Sequence, residues 1–477
     1  MVSNGKMPAA CTDTCKFYQK PPMTMRYARM IHLLLILVLS GPAMAETYEH
    51  RLANGLRVIV KEDRRAPTAV HMVWYRVGSM DETSGSTGVA HVLEHMMFKG
   101  TPSVGPGEFN RRVAAAGGRD NAFTSRDYTA YFQQVPKERL PEMMQLEADR
   151  MRHLTLDENE FSQEIKVVME ERRLRTEDQP QALLFERMSA MAFQSHPYRV
   201  PIIGWMSDLE SMTAADARDW YERWYAPNNA YVIVVGDVEH QAVFRLAEQH
   251  YGQLSARTLS ARKPQVEPAQ AGLRRLVVKA PAELPIVMMA YKVPVIRDLE
   301  RDIDPYALEM LSAVLAGHEA ARLSRNLVRQ QRLAVDAAAS YDSTSRGPGL
   351  FYLYGSPSEG KTRTEFEAGL RAELALVQRD GVAADELARA KAQLIAAQIY
   401  KLDSMFAQAM EIGQLESVGI AHAQHRRMID KLQAVSAEQV QDVARKYFFD
   451  DILTVAELDP QPLPRAPRAR SPFVGRH

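Results

Sequence analysis

The stretch Gly88-Val89-Ala90-His91-Val92-Leu93-Glu94-His95-Met96-Met97-Phe98 places two histidines four residues apart, with a glutamate between them. Four residues make about one α-helical turn, so a helix here would carry His91, Glu94 and His95 on one face. Neutral imidazoles are common nitrogen ligands of Zn²⁺, and a nearby carboxylate can take a proton from water. The stretch therefore predicts a zinc-binding helix with Glu94 as a base. A helix that carries these residues by chance is the alternative that the pattern alone leaves open.

The overall composition narrows the class of protein. Lysine and arginine together number 59, as do aspartate and glutamate, and 46% of the 477 residues are hydrophobic. This composition is ordinary for a globular protein with room for two or more domains. Because the charges balance, nothing favours a polyanionic partner, and we expect no binding to nucleic acid.

The N-terminal region has the pattern of a secretory signal. Arg26 and Arg29 precede an apolar run at residues 31–39, and Ala43-Met44-Ala45 follows as a cleavage site. We expect cleavage after Ala45 and a periplasmic or secreted protein. The apolar run is too short to span a bilayer, so we expect no stable membrane span, with an uncut anchor as the alternative.

Two further features lie upstream of the predicted cut. We interpret residues 1–24 as a spurious extension ahead of a start at Met25. Both cysteines, Cys11 and Cys15, also precede the cut. The mature chain would then have neither disulfides nor thiolate ligands, so histidines and carboxylates must hold any metal.

Turn signals and hydrophobic periodicity predict the elements of the mature chain. We expect a hairpin at residues 52–60 around Asn54-Gly55, strands at 71–77 and 230–235, a β-rich segment at 121–132, and helices at 138–151, 158–176 and 213–224. We assign residues 46–254 to a zinc-binding domain, 255–272 to a linker, 273–458 to a second domain and 459–477 to a disordered tail.

The second half resembles the first. Residues 432–447 match residues 209–225, and each segment is a capped helix that leads into an apolar strand, at 452–458 in the later copy. The early helix of the second half, at 305–315, lacks the two histidines. One half would then carry the chemistry and the other would be structural. The alternative is that a capped helix before a strand is merely a common arrangement.

A third metal ligand is needed, because catalytic zinc usually takes three protein ligands and leaves one position open. The segment from Glu164 to Glu171 is the best source. Glu164 and Glu171 are two helical turns apart and share a face, whereas Glu170 points elsewhere. A solvated acidic helix is the alternative.

These motifs together resemble the pitrilysin-like zinc peptidases, whose inverted signature is His-x-x-Glu-His. The chain is most similar to the branch that holds the mitochondrial processing peptidase β subunit and its bacterial relatives. The matching segments are residues 52–60, 88–100, 121–124, 148–151, 164–171, 196–198 and 227–229. The resemblance implies one Zn²⁺ per chain on His91, His95 and Glu171, and it implies that Glu164 is an auxiliary acid that orients a ligand or the water.

The resemblance also implies the fold and the mode of substrate binding. Two similar α+β domains, each an antiparallel-rich sheet packed with helices, would close as a clamshell around an unfolded peptide. Asn121 and Ala122 would lie on an edge strand that pairs with the substrate backbone. A turn position after Gly118 is the alternative for Asn121.

The second half departs from the family pattern. Active members carry an arginine, and seven residues later a tyrosine, that reach the substrate and its oxyanion, but Val328 and Val335 stand at those positions here. Valine cannot donate a hydrogen bond. We therefore expect a heterodimer with a paralogous subunit that supplies the Arg/Tyr pair. Alternatively, Arg329, Arg332 or Tyr341 takes over that role.

Two hypotheses for function follow from this resemblance. The first is a zinc metalloendopeptidase that hydrolyses extended peptides or unfolded polypeptides, with Glu94 as general base. The second is a catalytically silent or structural subunit of a processing-peptidase-like complex. The reduced glycine-rich loop, Ala316-Gly317-His318, fits the silent subunit, whereas retention of every zinc residue favours the peptidase.

Overall fold

The computed structural model describes residues 46–463. The predicted signal peptide and the final 14 residues of the predicted tail lie outside the described residues. Within the described range, no helix has both the length and the apolar character that crossing a membrane requires.

The first sheet has six strands in the order β1-β2-β6-β3-β5-β4. The predicted hairpin is confirmed, because β1 and β2 pair antiparallel on either side of Asn54 and Gly55, and Gly55 takes the positive φ of 91° that this turn needs. The strands are β1 (Thr47–Arg51), β2 (Arg57–Glu62), β3 (Thr68–Tyr75), β4 (Arg119–Thr124), β5 (Thr129–Pro136) and β6 (Ala230–Gly236).

The second sheet repeats this topology without an equivalent of β1. Its order is β7-β11-β8-β10-β9. The parallel pair β2·β6 has its counterpart in β7·β11, and the remaining neighbours pair antiparallel in both sheets. The predicted internal repeat is therefore confirmed at the level of topology. The strands are β7 (Arg274–Pro281), β8 (Ile286–Val293), β9 (Ala334–Tyr341), β10 (Gly349–Pro357) and β11 (Leu453–Gln461).

Helices cover both sheets, which makes the fold α+β as predicted. In the first half they are α1 (Val89–Met96), α2 (Glu108–Ala115), α3 (Leu140–His153), α4 (Glu158–Arg172), α5 (Pro180–Ala192), α6 (Met206–Ser211), α7 (Ala214–Trp224) and α8 (His240–Tyr251). In the second half they are α9 (Asp304–Ala316), α10 (Arg363–Asp380), α11 (Ala384–Lys401), α12 (Met405–Ser417), α13 (His425–Ala434) and α14 (Ala437–Tyr447).

One helix from each half of the chain packs against the sheet of the other half. Helix α12 of the second half packs Met405 and Ile412 against Trp74 of β3, and helix α5 of the first half packs Leu184 against Leu458 of β11. Burial of each such apolar side chain contributes roughly 1.5–3 kcal/mol. The two halves are therefore joined by apolar cores.

One predicted boundary is wrong, and one helix differs from its prediction in type. Strand β11 continues through Gln461, because it pairs in parallel with β7 up to Pro281, so the tail does not begin at residue 459. The helix predicted for residues 158–176 is confirmed in extent, but it is α-helical only to Arg172 and continues as a π-helical turn, Arg173–Glu177. The division of the chain at residues 255–272 stays a prediction, and residues 255–270 form neither helix nor strand.

Candidate active site

Helix α1 begins at a point where its backbone is held tightly. Gly88 has φ of 90°, and a Cβ there would lie 2.5 Å from the carbonyl oxygen of Ile203, so a larger residue would clash. The buried carboxyl group of Glu82 accepts hydrogen bonds from the N–H groups of Gly88 (2.8 Å) and Ala90 (2.9 Å). These bonds satisfy donors that the first turn of a helix leaves unpaired. The position of α1 is thereby fixed one turn before its histidines.

The three predicted zinc ligands converge. One ligand atom each from His91, His95 and Glu171 all lie within 4.8 Å of one another. Glu171 Oε2 is 3.8 Å from His91 Nε2 and 3.3 Å from His95 Nε2. Two imidazoles and one carboxylate with an open fourth position form the donor set of a catalytic zinc site, so these residues fit Zn²⁺.

The surroundings of His91 keep its imidazole in the neutral form that binds a metal. Burial, together with the nearby His95 and Arg175, lowers the pKa of His91 to about 3. The imidazole is therefore neutral at physiological pH, as a metal ligand must be. Its Nδ1 is buried and has no hydrogen-bond partner within residues 46–463.

His95 is oriented by Glu164, whose Oε1 lies 2.8 Å from His95 Nδ1. Burial alone would lower the pKa of His95, but the hydrogen bond with Glu164 and the negative charges of Glu171, Glu164 and Glu94 raise it overall. Lys99 forms an ion pair with Glu164 Oε2. Lys99 was not predicted from the sequence, although it stands one helical turn after His95.

The carboxylate of Glu94 is held by an unpredicted residue, Thr124 at the end of β4. Thr124 Oγ1 donates a hydrogen bond of 2.5 Å to Glu94 Oε2. Burial raises the pKa of Glu94, and the bond from Thr124 opposes that shift. A raised pKa suits a group that must accept and then release a proton near neutral pH.

A cavity of about 930 Å³, which we call the chamber, opens over these residues. His91, Glu94 and Glu171 line it from the first half of the chain. The second half contributes four lining residues: Met288, Ser340, Tyr352 and Tyr354. The two halves therefore enclose the site together.

Strand β4 is an edge strand, as the resemblance implied. Asn121 pairs with Phe132 inside β4, so the alternative assignment of Asn121 to a turn is wrong. Asn121 is exposed, and Ala122 lines the chamber. The free edge of β4 can therefore offer main-chain hydrogen bonds to an extended chain at the chamber wall.

The second half brings none of the residues considered for the Arg/Tyr role to the chamber lining. Val328 packs against the core of the second half, and Val335 on β9 is 54% exposed. Arg329 donates to the carbonyl oxygen of Glu319, and Tyr341 donates to that of Pro294. Arg329 and Tyr341 are thus engaged elsewhere.

The fold and the site together define a class of protein, the zinc peptidases with an inverted histidine motif. A family model described as Insulinase (Peptidase family M16) matches residues 57–204, and a second, described as Peptidase M16 inactive domain, matches residues 211–394. The chain belongs to the M16 peptidase family.

Known proteins support this membership. Zinc protease PqqE of Helicobacter pylori is 38% identical over 313 residues, which are 64% of this chain and 70% of that protein. The crystal structure of a protease from Helicobacter pylori aligns with a TM-score of 0.82 at 30% identity, over 87% of this chain and all of that one. The periplasmic protease PqqL of Escherichia coli shares the fold, with a TM-score of 0.75 at 19% identity, and the match covers 88% of this chain and 48% of PqqL.

Proposed function

We propose that this chain is a zinc metalloendopeptidase that hydrolyses extended peptides or unfolded polypeptides. The observation that supports this most strongly is the convergence of His91, His95 and Glu171 beside the buried Glu94, which lines the chamber together with His91 and Glu171. A structural subunit has no physical need for three convergent ligands and a base.

The side chains of the chamber have distinct roles in this proposal. Bound Zn²⁺ supplies Lewis acidity that polarises a peptide carbonyl and activates water. Glu94 accepts a proton from the attacking water and passes it to the departing amine. The hydroxyl of Thr124 fixes Glu94 Oε2, which leaves Oε1 to carry the proton. Glu164 holds His95 in one orientation through Nδ1.

The substrate would add a strand to β4 at Asn121 and Ala122. Main-chain pairing of this kind accepts many sequences, which suits an enzyme that acts on unfolded chains. We place the protein in the periplasm or outside the cell, because residues 1–45 have the pattern of a cleaved signal. The related PqqL is described as periplasmic.

A silent subunit is the second candidate function. The specific observation in its favour is that Val328 and Val335 occupy the positions where active relatives are expected to carry donors for the oxyanion. The site residues on α1 and α4 argue against it.

The decisive experiment replaces Glu94 with glutamine. This change keeps the shape and polarity of the side chain but removes the base. We expect Glu94→Gln to retain zinc in elemental analysis. We expect its rate of peptide hydrolysis to be lower than that of the wild type by about 10²–10⁴-fold or more. Glu210→Gln, which alters an exposed residue of α6, is the matched control. Hydrolysis by Glu94→Gln at the wild-type rate would exclude the assignment.

A further inference from the structure

One arginine in the chamber wall lacks an acidic partner. Arg126 stands two residues after Thr124, and its guanidinium lies 5.9 Å from the ring centre of Phe185 and 5.2 Å from that of Tyr198. Its Nη2 makes only a long contact, 3.4 Å, with Ser189 Oγ. Its Nε is buried and has no hydrogen-bond partner in the described chain. Arg126 therefore carries donors that the protein itself does not use.

The other charged groups of the chamber are satisfied. Arg175 forms an ion pair with Glu171 (2.6 Å), and Glu186 forms one with Arg172 (2.9 Å). Within residues 46–463, no carboxylate lies within 4.0 Å of Arg126. An arginine that is half buried without a counter-charge has lost part of its hydration. The carboxylate of a ligand can compensate for that loss through paired hydrogen bonds to the guanidinium.

The neighbouring acidic residue does not serve as its partner. Asp127 accepts a hydrogen bond from the Tyr198 hydroxyl and another from the N–H of Arg346. The backbone around Arg126 is also fixed, because the N–H of Met80 donates to the Arg126 carbonyl oxygen at 3.0 Å. The guanidinium is thus presented on a rigid loop between two aromatic rings.

We propose that Arg126 determines substrate specificity by binding a carboxylate of the peptide, close to the bond that is cleaved. This inference rests on the proposed function and deepens it. The backbones of Thr124 and Arg126 are at most about 7 Å apart, and Thr124 touches the base Glu94, so the carboxylate lies within a few residues of the cleaved bond. Its source is an acidic side chain or the free C-terminus of a short peptide.

The first measurement uses the wild-type chain and matched peptides. Each pair differs only in glutamate against glutamine at one of the three positions on either side of the cleaved bond, and a further pair differs in a free against an amidated C-terminus. A charge-assisted pair should raise kcat/KM about tenfold to a hundredfold for the peptide that carries the carboxylate. Hydrolysis of all pairs without any preference would overturn the inference and leave the proposed function intact.

Substitutions then test whether Arg126 causes the preference for a carboxylate. Arg126→Met should abolish the preference while neutral peptides are still cleaved, and Arg126→Glu should favour lysine over glutamine at the same position. Arg187→Met, which removes an exposed arginine on α5, is the matched control and should keep the preference. A preference that persists in a folded Arg126→Met chain would overturn the inference.

Binding separates this inference from the proposed function. The same peptides, labelled with a fluorophore, are titrated into the zinc-loaded Glu94→Gln chain, and the ratio of Kd values within each pair is measured. We expect that ratio to be about tenfold or more in favour of the carboxylate and to fall to unity with Arg126→Met added. If the wild-type chain hydrolyses none of the peptides but this ratio holds, the outcome supports carboxylate binding by Arg126 and counts against hydrolysis by the isolated chain. Equal Kd values within every pair would overturn the inference.

Discussion

Adjacent residues of one helix can differ completely in role, as Glu170 and Glu171 illustrate. The Glu171 side chain is 16% exposed and faces both histidines, whereas Glu170 is 59% exposed and forms an ion pair with Arg173 at 2.9 Å. Successive helical residues diverge by about 100°, so only one of the two can face the histidines.

A first prediction follows from this difference. Glu171→Gln should weaken zinc binding by more than about 100-fold, because even changes to residues that only orient ligands cost about 10–100-fold. Glu170→Gln is the matched control and should leave the zinc affinity almost unchanged. Competition with a chromogenic chelator measures both affinities. Equal loss in the two variants would exclude Glu171 as the ligand.

For single residues, the sequence predicted roles that depend on local spacing, but it did not predict contacts between residues far apart in the chain. His91, Glu94 and His95 were predicted because helical periodicity acts within a few residues of sequence. The choice of Glu171 over Glu164 needed the family pattern, because both share one helix face. Thr124, by contrast, reaches Glu94 from 30 residues away. The pairing of β4 with β5 places Thr124 next to Glu94, and no local sequence pattern predicts that pairing.

At the scale of elements, the start of α1 depends on a buried acid. Burial raises the pKa of Glu82 to about 8, although the N–H groups of Gly88 and Ala90 oppose the shift. An unfolded glutamate titrates near 4.5, so between these values the folded state holds a proton that the unfolded state has released. The stability from this proton is fully present below about pH 4.5 and is lost as the pH rises to about 8.

A second prediction concerns Glu82→Gln. At pH 5 this variant should be less stable than the wild type by about 1–3 kcal/mol, because both oxygens of the protonated carboxyl group can accept a hydrogen bond, whereas the amide nitrogen cannot. The difference should shrink between pH 5 and 8, since only the wild type loses stability from this titration. Urea unfolding at several pH values measures the free energies of both chains. Glu210→Gln should show neither effect, and a difference that grows with pH would contradict the assignment.

Helices whose first residues carry a clear capping pattern were predicted well. The capping boxes at Thr213 and Ser436 start α7 and α14 where the sequence indicated. The π-helical turn after Arg172 was missed, since it is set by tertiary contacts. The buried Arg172 binds Glu186 and the carbonyl oxygen of Gly204, and both partners come from later in the chain.

At the scale of the molecule, the exchange of helices between halves was not predicted. A Cβ on Gly413 of α12 would lie 2.1 Å from the ring of Trp74, so glycine permits the close approach of α12 to the first sheet. A glycine inside a helical pattern does not indicate its distant neighbour. The repeat of the two sheets, in contrast, was visible because both copies keep the same capped helix before an apolar strand.

Val328 and Val335 do not line the chamber formed by their own chain, and more than half of Val335 is exposed. A tyrosine at the position of Val335 in a related subunit would therefore be exposed, whereas the position of Val328 packs against the core. The match with only 48% of PqqL shows that this fold can also form part of a chain about twice as long. The heterodimer in which a partner supplies the pair stays a prediction.

The last prediction is that the isolated chain is a poor peptidase even when it is fully loaded with zinc. Loss of one oxyanion donor typically costs about 10²–10³-fold in rate, so addition of a paralogous partner that carries the Arg/Tyr pair should restore at least that factor. The measurement titrates the partner into the zinc-loaded chain and follows peptide hydrolysis at saturation. A partner with that tyrosine changed to phenylalanine is the control, because it can assemble but cannot donate, and it should restore little activity. A second copy of this chain cannot substitute, since both copies carry valine. Full activity from the monomeric chain would show that a donor within the chain completes the site and would exclude the split arrangement.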